Sequence, residues 1–210
     1  MDLDEMFGEG WCLTLAPHPL TETLRLMGVT DPAPRTGSPG RTADALQQPR
    51  GGGGFVLGRD VPGGWTLALE GDSWIGSDDD VLRALTADGG TALSAYRDPD
   101  TRTATLAHDG AVLGRLELSG GYFGGPSGSV DTAHPVVASL TAVGFDASDD
   151  CEPTGEAGTE EPDGRLVLAV RVLTGVTLTA ADLEGPWTGG PSRPALARNP
   201  RTVGESTARR

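Results

Sequence analysis

Three consecutive carboxylates, Asp78, Asp79 and Asp80, are residue types that bind either a metal ion or a basic partner. Successive residues on a helix point about 100° apart, so a metal cage here would need ligands from elsewhere in the chain. Ser77 can cap a helix at this point, and carboxylates stabilise the positive end of a helix dipole. We therefore expect an acidic helix start that binds no metal, and Asp78–Asp80 become candidate partner-binding residues.

Three histidines, His18, His108 and His134, are the side chains suited to acid–base chemistry at neutral pH. No nucleophile elbow of the G-x-S-x-G type accompanies them, so the fold would have to assemble any catalytic device. The alternative to a binding protein is a hydrolase or transferase whose site combines His108, His134 and the Asp78–Asp80 turn. The sequence itself predicts no catalytic residue, no metal ligand and no cofactor.

Aromatic residues supply two further groups of candidates. Tyr122 and Phe123 lie in the glycine-rich segment Ser119–Ser129, which lacks the G-x-x-x-x-G-K-[ST] motif and is predicted to be a mobile loop. Because exposed aromatics often anchor contacts, Tyr122 and Phe123 are candidate partner-binding residues, unless both pack back onto the sheet. Four tryptophans are predicted to lie in the core: Trp11, Trp65, Trp74 and Trp187. If they lined a ligand cleft instead, the protein would be a small-molecule sensor, which is a third possible function.

The charge of the chain narrows the choice of partner. All 16 basic residues are arginine, so the absence of lysine excludes Schiff-base chemistry and a phosphate-binding P-loop lysine. Residues 1–192 carry 29 acids and 11 arginines, whereas residues 193–210 carry five arginines and Glu205. An acidic body repels nucleic acid and anionic membranes, because both are bound through neutralisation of their phosphates. The predicted partner is a protein with a basic surface.

Cysteine usage and the N-terminal residues predict a location. Cys12 and Cys151 are too few for a disulfide scaffold, and Cys12 is expected to be a small core residue. The first ten residues, MDLDEMFGEG, are acidic and contain no apolar targeting region. No apolar run approaches the roughly 18 residues that a membrane span needs. We expect a cytoplasmic protein.

The elements that must position these residues follow from hydrophobic periodicity and turn residues. Strands are predicted at 11–16, 54–60, 65–70, 91–96, 103–108 and 111–118, and helices at 21–27, after Ser77, at 131–143 and from Thr179. Residues 166–174 suit either a strand or a helix. This order predicts an α+β fold: a single antiparallel sheet of about five to six strands, with helices packed mainly on one face.

Composition divides the chain into a domain and its attachments. Residues 1–190 are predicted to form a single α+β domain, interrupted by flexible insertions at 30–53 and 147–163. Residues 191–210 are predicted to be a disordered, arginine-containing tail. Because the insertions hold few apolar residues, we expect them to contribute little to the core.

Four short motifs in this order resemble an uncharacterised actinobacterial family, common in streptomycetes and described as a domain of unknown function: W-C-L-T-L (11–15), G-W-T-L-A-L-E (64–70), V-L-R-A-L (81–85) and T-G-V-T-L-T (174–179). The resemblance covers residues 5–187, with 30–53 and 147–163 as insertions peculiar to this chain. It implies a small cytoplasmic α+β domain in which residues 166–174 are helical, and it implies no catalytic residue. The function predicted from the residues is a small acidic protein that binds a protein partner without catalysis.

Overall fold

The computed structural model describes residues 10–35, 54–71, 73–97, 101–118, 122–124, 131–145 and 162–192. The strands are β1 Trp11–Ala16, β2 Ala33–Arg35, β3 Gly54–Val61, β4 Trp65–Gly71, β5 Thr91–Arg97, β6 Arg102–His108, β7 Ala111–Glu117, β8 Tyr122–Gly124 and β9 Trp187–Ser192. The helices are α1 Leu20–Leu26, α2 Asp79–Leu85, α3 Pro135–Thr141, α4 Pro162–Thr174 and α5 Ala180–Leu183, with a 3-10 helix at Ile75–Ser77.

These strands form one antiparallel sheet in the order β2-β9-β3-β4-β1-β5-β6-β7-β8. β1 lies at the centre, with Cys12 opposite Glu70 of β4 on one side and opposite Tyr96 of β5 on the other. The strands predicted at 103–108 and 111–118 form the β6–β7 hairpin, whose turn residues Asp109 and Gly110 both have positive φ.

Helices cover both faces of the sheet. On one face, α3, α4 and α5 pack against the largest core cluster, which includes Leu13, Leu67, Leu106, Val137, Leu166 and Leu183. On the other face, α1 and α2 cover two smaller apolar clusters, one around Leu24 and Val56 and one around Leu82 and Ala92. Between these two clusters the sheet carries polar side chains, and this polar strip is the basis of the candidate site.

The predicted fold class is wrong in two respects. The sheet has nine strands among the described residues instead of five to six, because β2, β8 and β9 were not predicted. Helices also pack on both faces instead of mainly on one. The alternation of W-T-L-A-L-E suggests a solvated face at Thr66, Ala68 and Glu70, yet all three are buried under helices.

Local signals identify the helices better. Residues 166–174, which the residue pattern left open and the family resemblance made helical, lie in α4. The helix predicted from Thr179 is α5, which a capping box of Thr179 and Asp182 opens. None of the helices in the described part of the chain is long and apolar enough to cross a membrane.

The predicted insertions and tail lie largely outside the described residues. Within the 30–53 segment, Ala33–Arg35 form strand β2, which pairs with β9. Residues 162–163 begin α4, and residues 191–192 complete β9, so the regular structure extends slightly into the other two segments.

Candidate functional site

The centre of the polar strip is Glu70, a carboxylate only 1% exposed at the end of β4. Its Oε2 accepts hydrogen bonds from the Ser73 hydroxyl at 2.6 Å and the Ile75 N–H at 2.8 Å. Its Oε1 accepts from the Gly76 N–H at 2.7 Å. A buried carboxylate therefore satisfies the free N–H groups at the start of the 3-10 helix that follows β4.

A network of three hydroxyls and the Cys12 thiol lies next to this carboxylate, to which Cys12 connects it. Ser94 Oγ lies 2.8 Å from Thr14 Oγ1, 3.1 Å from Ser77 Oγ and 3.3 Å from Cys12 Sγ. Cys12 Sγ lies 3.4 Å from Ser77 Oγ, so hydrogen bonds join three elements: β1, β5 and the 3-10 helix. This network fixes the 3-10 helix to the sheet by polar contacts where apolar packing is interrupted.

Burial is the main cause of the pKa shifts of the two ionisable groups in the network, Glu70 and Cys12. It raises the pKa of Glu70, although the hydrogen bonds from Ser73, Gly76 and Ile75 oppose the shift. Burial, together with the nearby Glu70 carboxylate, raises the pKa of the Cys12 thiol to about 12. Cys12 is thus an inert, buried thiol, as predicted, and not a nucleophile.

The anchored turn presents Trp74 to solvent. Trp74 immediately precedes the 3-10 helix and is 60% exposed, although its neighbour Ser73 is buried. The indole ring packs edge-on against half-buried Tyr96, with ring centroids 5.8 Å apart and an interplanar angle of 66°. The prediction that Trp74 is a core residue is therefore wrong, whereas Trp11 and Trp187 are buried.

The predicted acidic turn follows directly after the 3-10 helix. The Asp78 side chain, not that of Ser77, caps α2 by accepting from the Asp80 N–H at 2.9 Å. Arg83 lies 3.1 Å from Asp80 and 3.5 Å from Asp79, whose second oxygen lies 3.7 Å from Arg115. The Asp80 side chain is nevertheless 88% exposed, so its carboxylate is accessible to a partner. We call Trp74, Tyr96 and Asp78–Asp80 together the Trp74 surface.

Tyr122 and Phe123 lie elsewhere, at the far edge of the sheet. They belong to β8, where Tyr122 pairs with Glu117 and Phe123 with Leu116 of β7. The mobile loop predicted for Ser119–Ser129 is thus interrupted by three strand residues, and the remainder of that segment lies outside the described residues.

The structure brings together two of the three histidines. The rings of His108 and His134 lie edge-on with centroids 5.3 Å apart, and His108 Nδ1 lies 2.9 Å from Thr91 Oγ1. His134 Nδ1 caps α3 by accepting from the Val136 N–H. Asp78–Asp80 do not join them, because α2 packs on the face of the sheet opposite α3.

The site proposed for a hydrolase or transferase is therefore not assembled as predicted. The carboxylate nearest to His108 belongs to Asp109, at 3.4 Å. Within the described residues, no group of three or more His, Cys, Asp or Glu side chains is arranged to hold a metal ion.

Sequence reasoning missed Glu70, Tyr96 and the exposure of Trp74. The available signal was the composition of the turn: Glu70 ends a strand, and Trp74 and Ile75 stand between the polar segment 71–73 and the segment 76–80. A tryptophan in a short turn rich in Gly, Ser and Asp fits an exposed anchor.

The chain belongs to a family of proteins of unknown function, DUF6461, whose model matches residues 2–186. No curated protein and no solved structure shows significant similarity to it. The uncharacterised family inferred from the motifs is thereby confirmed at this level, and family membership assigns no activity to the chain.

Proposed function

We propose that this protein binds a protein partner through the Trp74 surface. The observation that supports this most directly is the exposure of Trp74 on a turn fixed by three hydrogen bonds to a buried carboxylate. Trp and Tyr are enriched among the residues that dominate binding energy at protein interfaces. A rigid aromatic loses little conformational freedom on binding, so its contact area contributes efficiently to affinity.

Charge supports a basic partner. The chain carries a net charge of −14, and Asp78–Asp80 begin a helix directly after the turn that carries Trp74. An arginine or lysine of the partner stacked on Trp74 would gain a cation–π interaction and lie close to these carboxylates. Arg83 and Arg115 already neutralise part of the charge of Asp79 and Asp80, so Trp74 is expected to contribute more affinity than the carboxylates.

The test compares partner capture by matched variants of the full chain. Wild type, Trp74→Ala, Asp78/Asp79/Asp80→Asn and Val143→Ala are immobilised and exposed to lysate of the source organism at 0.05 M and 0.5 M salt. Val143→Ala is the control, because Val143 is the other large hydrophobic residue exposed in the described part of the chain, at 40%. We expect a partner that Trp74→Ala loses, that Val143→Ala retains and that high salt weakens.

Two results would contradict the proposal. One is a partner retained by Trp74→Ala and by the triple Asn variant, since neither feature would then contribute to binding. The other is binding unaffected by salt, which would remove the argument for a basic partner. We also propose, from the sequence alone, that the protein is of actinobacterial origin and located in the cytoplasm.

A further inference from the structure

Three buried N–H donors at one end of the sheet have no acceptor among the residues that the structure describes: Arg35 Nε, Arg59 Nε and Trp187 Nε1. Trp187 is 1% exposed, and both arginines are half-buried. A buried donor without an acceptor costs about 1–3 kcal/mol, so three in one place need an explanation.

The three side chains occupy one row across neighbouring strands. Arg35 of β2 pairs with Trp187 of β9, and the pairing of Gly58 with Thr188 sets Arg59 of β3 against the other side of Trp187. The Arg59 guanidinium carbon lies 5.9 Å from the centre of the Trp187 ring. Because neighbouring strands are about 4.8 Å apart, the two arginine backbones are about 10 Å apart, a separation that two arginine side chains can span.

Local contacts fix the Arg59 guanidinium and leave its Nε edge unused. Arg59 Nη1 donates to the carbonyl oxygens of Ala181, Asp182 and Gly185, at 3.1, 2.8 and 3.2 Å. These three carbonyls belong to the end of α5 and the turn before β9. The Arg35 guanidinium lies over the Phe55 ring, 5.8 Å from its centre.

Neither guanidinium has a carboxylate partner in the described part of the chain, although acidic residues outnumber arginines by 30 to 16. The more exposed Arg25 and Arg83 do form ion pairs, with Glu22 and with Asp79 and Asp80. The two half-buried positive charges are thus not matched by the acidic side chains that are abundant elsewhere.

We propose that Arg35, Arg59 and Trp187 bind a small oxyanion, either a carboxylate or a phosphate. All three groups are donors only, so they match a ligand that offers acceptors only. A guanidinium recognises both anions through two parallel N–H groups, and the indole N–H supplies a third donor from a dry position. This site lies on other strands than the Trp74 surface and is independent of the protein-binding proposal.

The test measures thermal unfolding and titration calorimetry of the full chain with sodium phosphate or sodium acetate, against sodium chloride at the same ionic strength. The variants are Arg35→Gln, which removes the guanidinium that lies over the Phe55 ring, and Trp187→Phe, which removes the indole N–H and keeps an aromatic ring. Arg25→Gln is the matched control, because Arg25 is exposed and contacts Glu22 on α1.

We expect one of the two anions to bind the wild type and Arg25→Gln alike, with affinity reduced about tenfold or more in Arg35→Gln and Trp187→Phe, because hydrogen bonds to charged groups are the stronger kind. The anion that binds distinguishes a phosphate ligand from a carboxylate. Equal responses of all four proteins to both anions would overturn the proposal, since they would reflect general salt effects. If Trp187→Phe fails to fold, Arg35→Gln alone decides the outcome.

Discussion

Replacing Gly76 by alanine tests whether the buried carboxylate positions the turn that carries Trp74. A Cβ atom at Gly76 would overlap the Thr14 hydroxyl and lie 3.0 Å from Glu70 Oε1. The φ angle of Gly76 is not in the left-handed region, so alanine is compatible with the backbone conformation. The expected damage is therefore steric and falls on the contact between the turn and Glu70.

The magnitude follows from two contributions. Forcing an extra methyl group into a packed site costs about 1–3 kcal/mol. Displacing the turn also weakens the 2.7 Å bond from the Gly76 N–H to Glu70, and hydrogen bonds to charged groups are worth about 1.5–3 kcal/mol. We expect Gly76→Ala to lower the free energy of unfolding by about 2–5 kcal/mol, a fall in Tm of about 5–15 °C for a chain of this size.

Urea unfolding at pH 7 measures this difference, with Gly164→Ala as the control. Gly164 lies in α4, and a methyl group added there would meet no atom of the described residues within 4 Å, so alanine at this position should stabilise the helix by about 0.5–1 kcal/mol. A second check is Gly76→Ala combined with Thr14→Ala, which removes the overlapping hydroxyl and should cost less than the sum of the single changes. A Gly76→Ala protein within about 0.5 kcal/mol of wild type, the usual range of a neutral surface change, would refute the reasoning.

Three further predictions concern the interior. Burial raises the pKa of Glu70, so the folded protein keeps a proton that the unfolded chain releases. The stabilisation by this bound proton is present below about pH 4.3, the ordinary pKa of glutamate, and is lost as pH rises through the folded pKa. The unfolding free energy of wild type should therefore fall with rising pH relative to that of Glu70→Gln, and a difference that stays constant with pH would contradict this prediction. In a Cys151→Ser background, a thiol reagent at pH 8 should label Cys12 only after urea is added, since the pKa of Cys12 is about 12; rapid labelling of the folded protein would show that the thiol is accessible. Leu69→Ala should lose about 2–5 kcal/mol in urea unfolding, because Leu69 lies in the main core, and an unchanged midpoint would disprove the strand register.

The central part of the sheet was predictable because its strands carry their own signals. β1 and β3–β7 are rich in Leu, Val and Thr, alternate in polarity and are bounded by Gly and Asp turns. The strands that were missed are short or contain proline and glycine, as in A-P-R of β2 and W-T-G-G-P-S of β9. They form because neighbouring strands offer hydrogen bonds to them, and this tertiary contribution is invisible in a local pattern.

The second helical layer was missed for a related reason. Thr14, Thr66, Glu70 and Ser94 read as solvent-facing positions, yet each is buried beneath α1, α2 or the 3-10 helix. Small polar residues permit burial once their hydroxyls find partners. The Thr14 hydroxyl bonds to that of Ser94, 80 residues away, and the Thr66 hydroxyl donates to the His18 carbonyl, 48 residues away. Asp78–Asp80 were placed correctly at a helix start, because a helix start depends on local residues, although Asp78 and not Ser77 supplies the cap.

The choice of a glutamate at position 70 is unfavourable for stability and favourable for placing Trp74. Burial disfavours the ionised carboxylate, and an apolar residue would avoid that desolvation. A leucine, however, would leave the N–H groups of Ile75 and Gly76 without acceptors, and a glutamine would offer one acceptor oxygen where the carboxylate offers two. Because both oxygens bond to the turn next to Trp74, the carboxylate restricts the backbone that carries the indole. Burying Glu70 is therefore unfavourable for stability but holds the exposed Trp74 in a fixed position. A fixed position of its contact residues is what a binding surface requires.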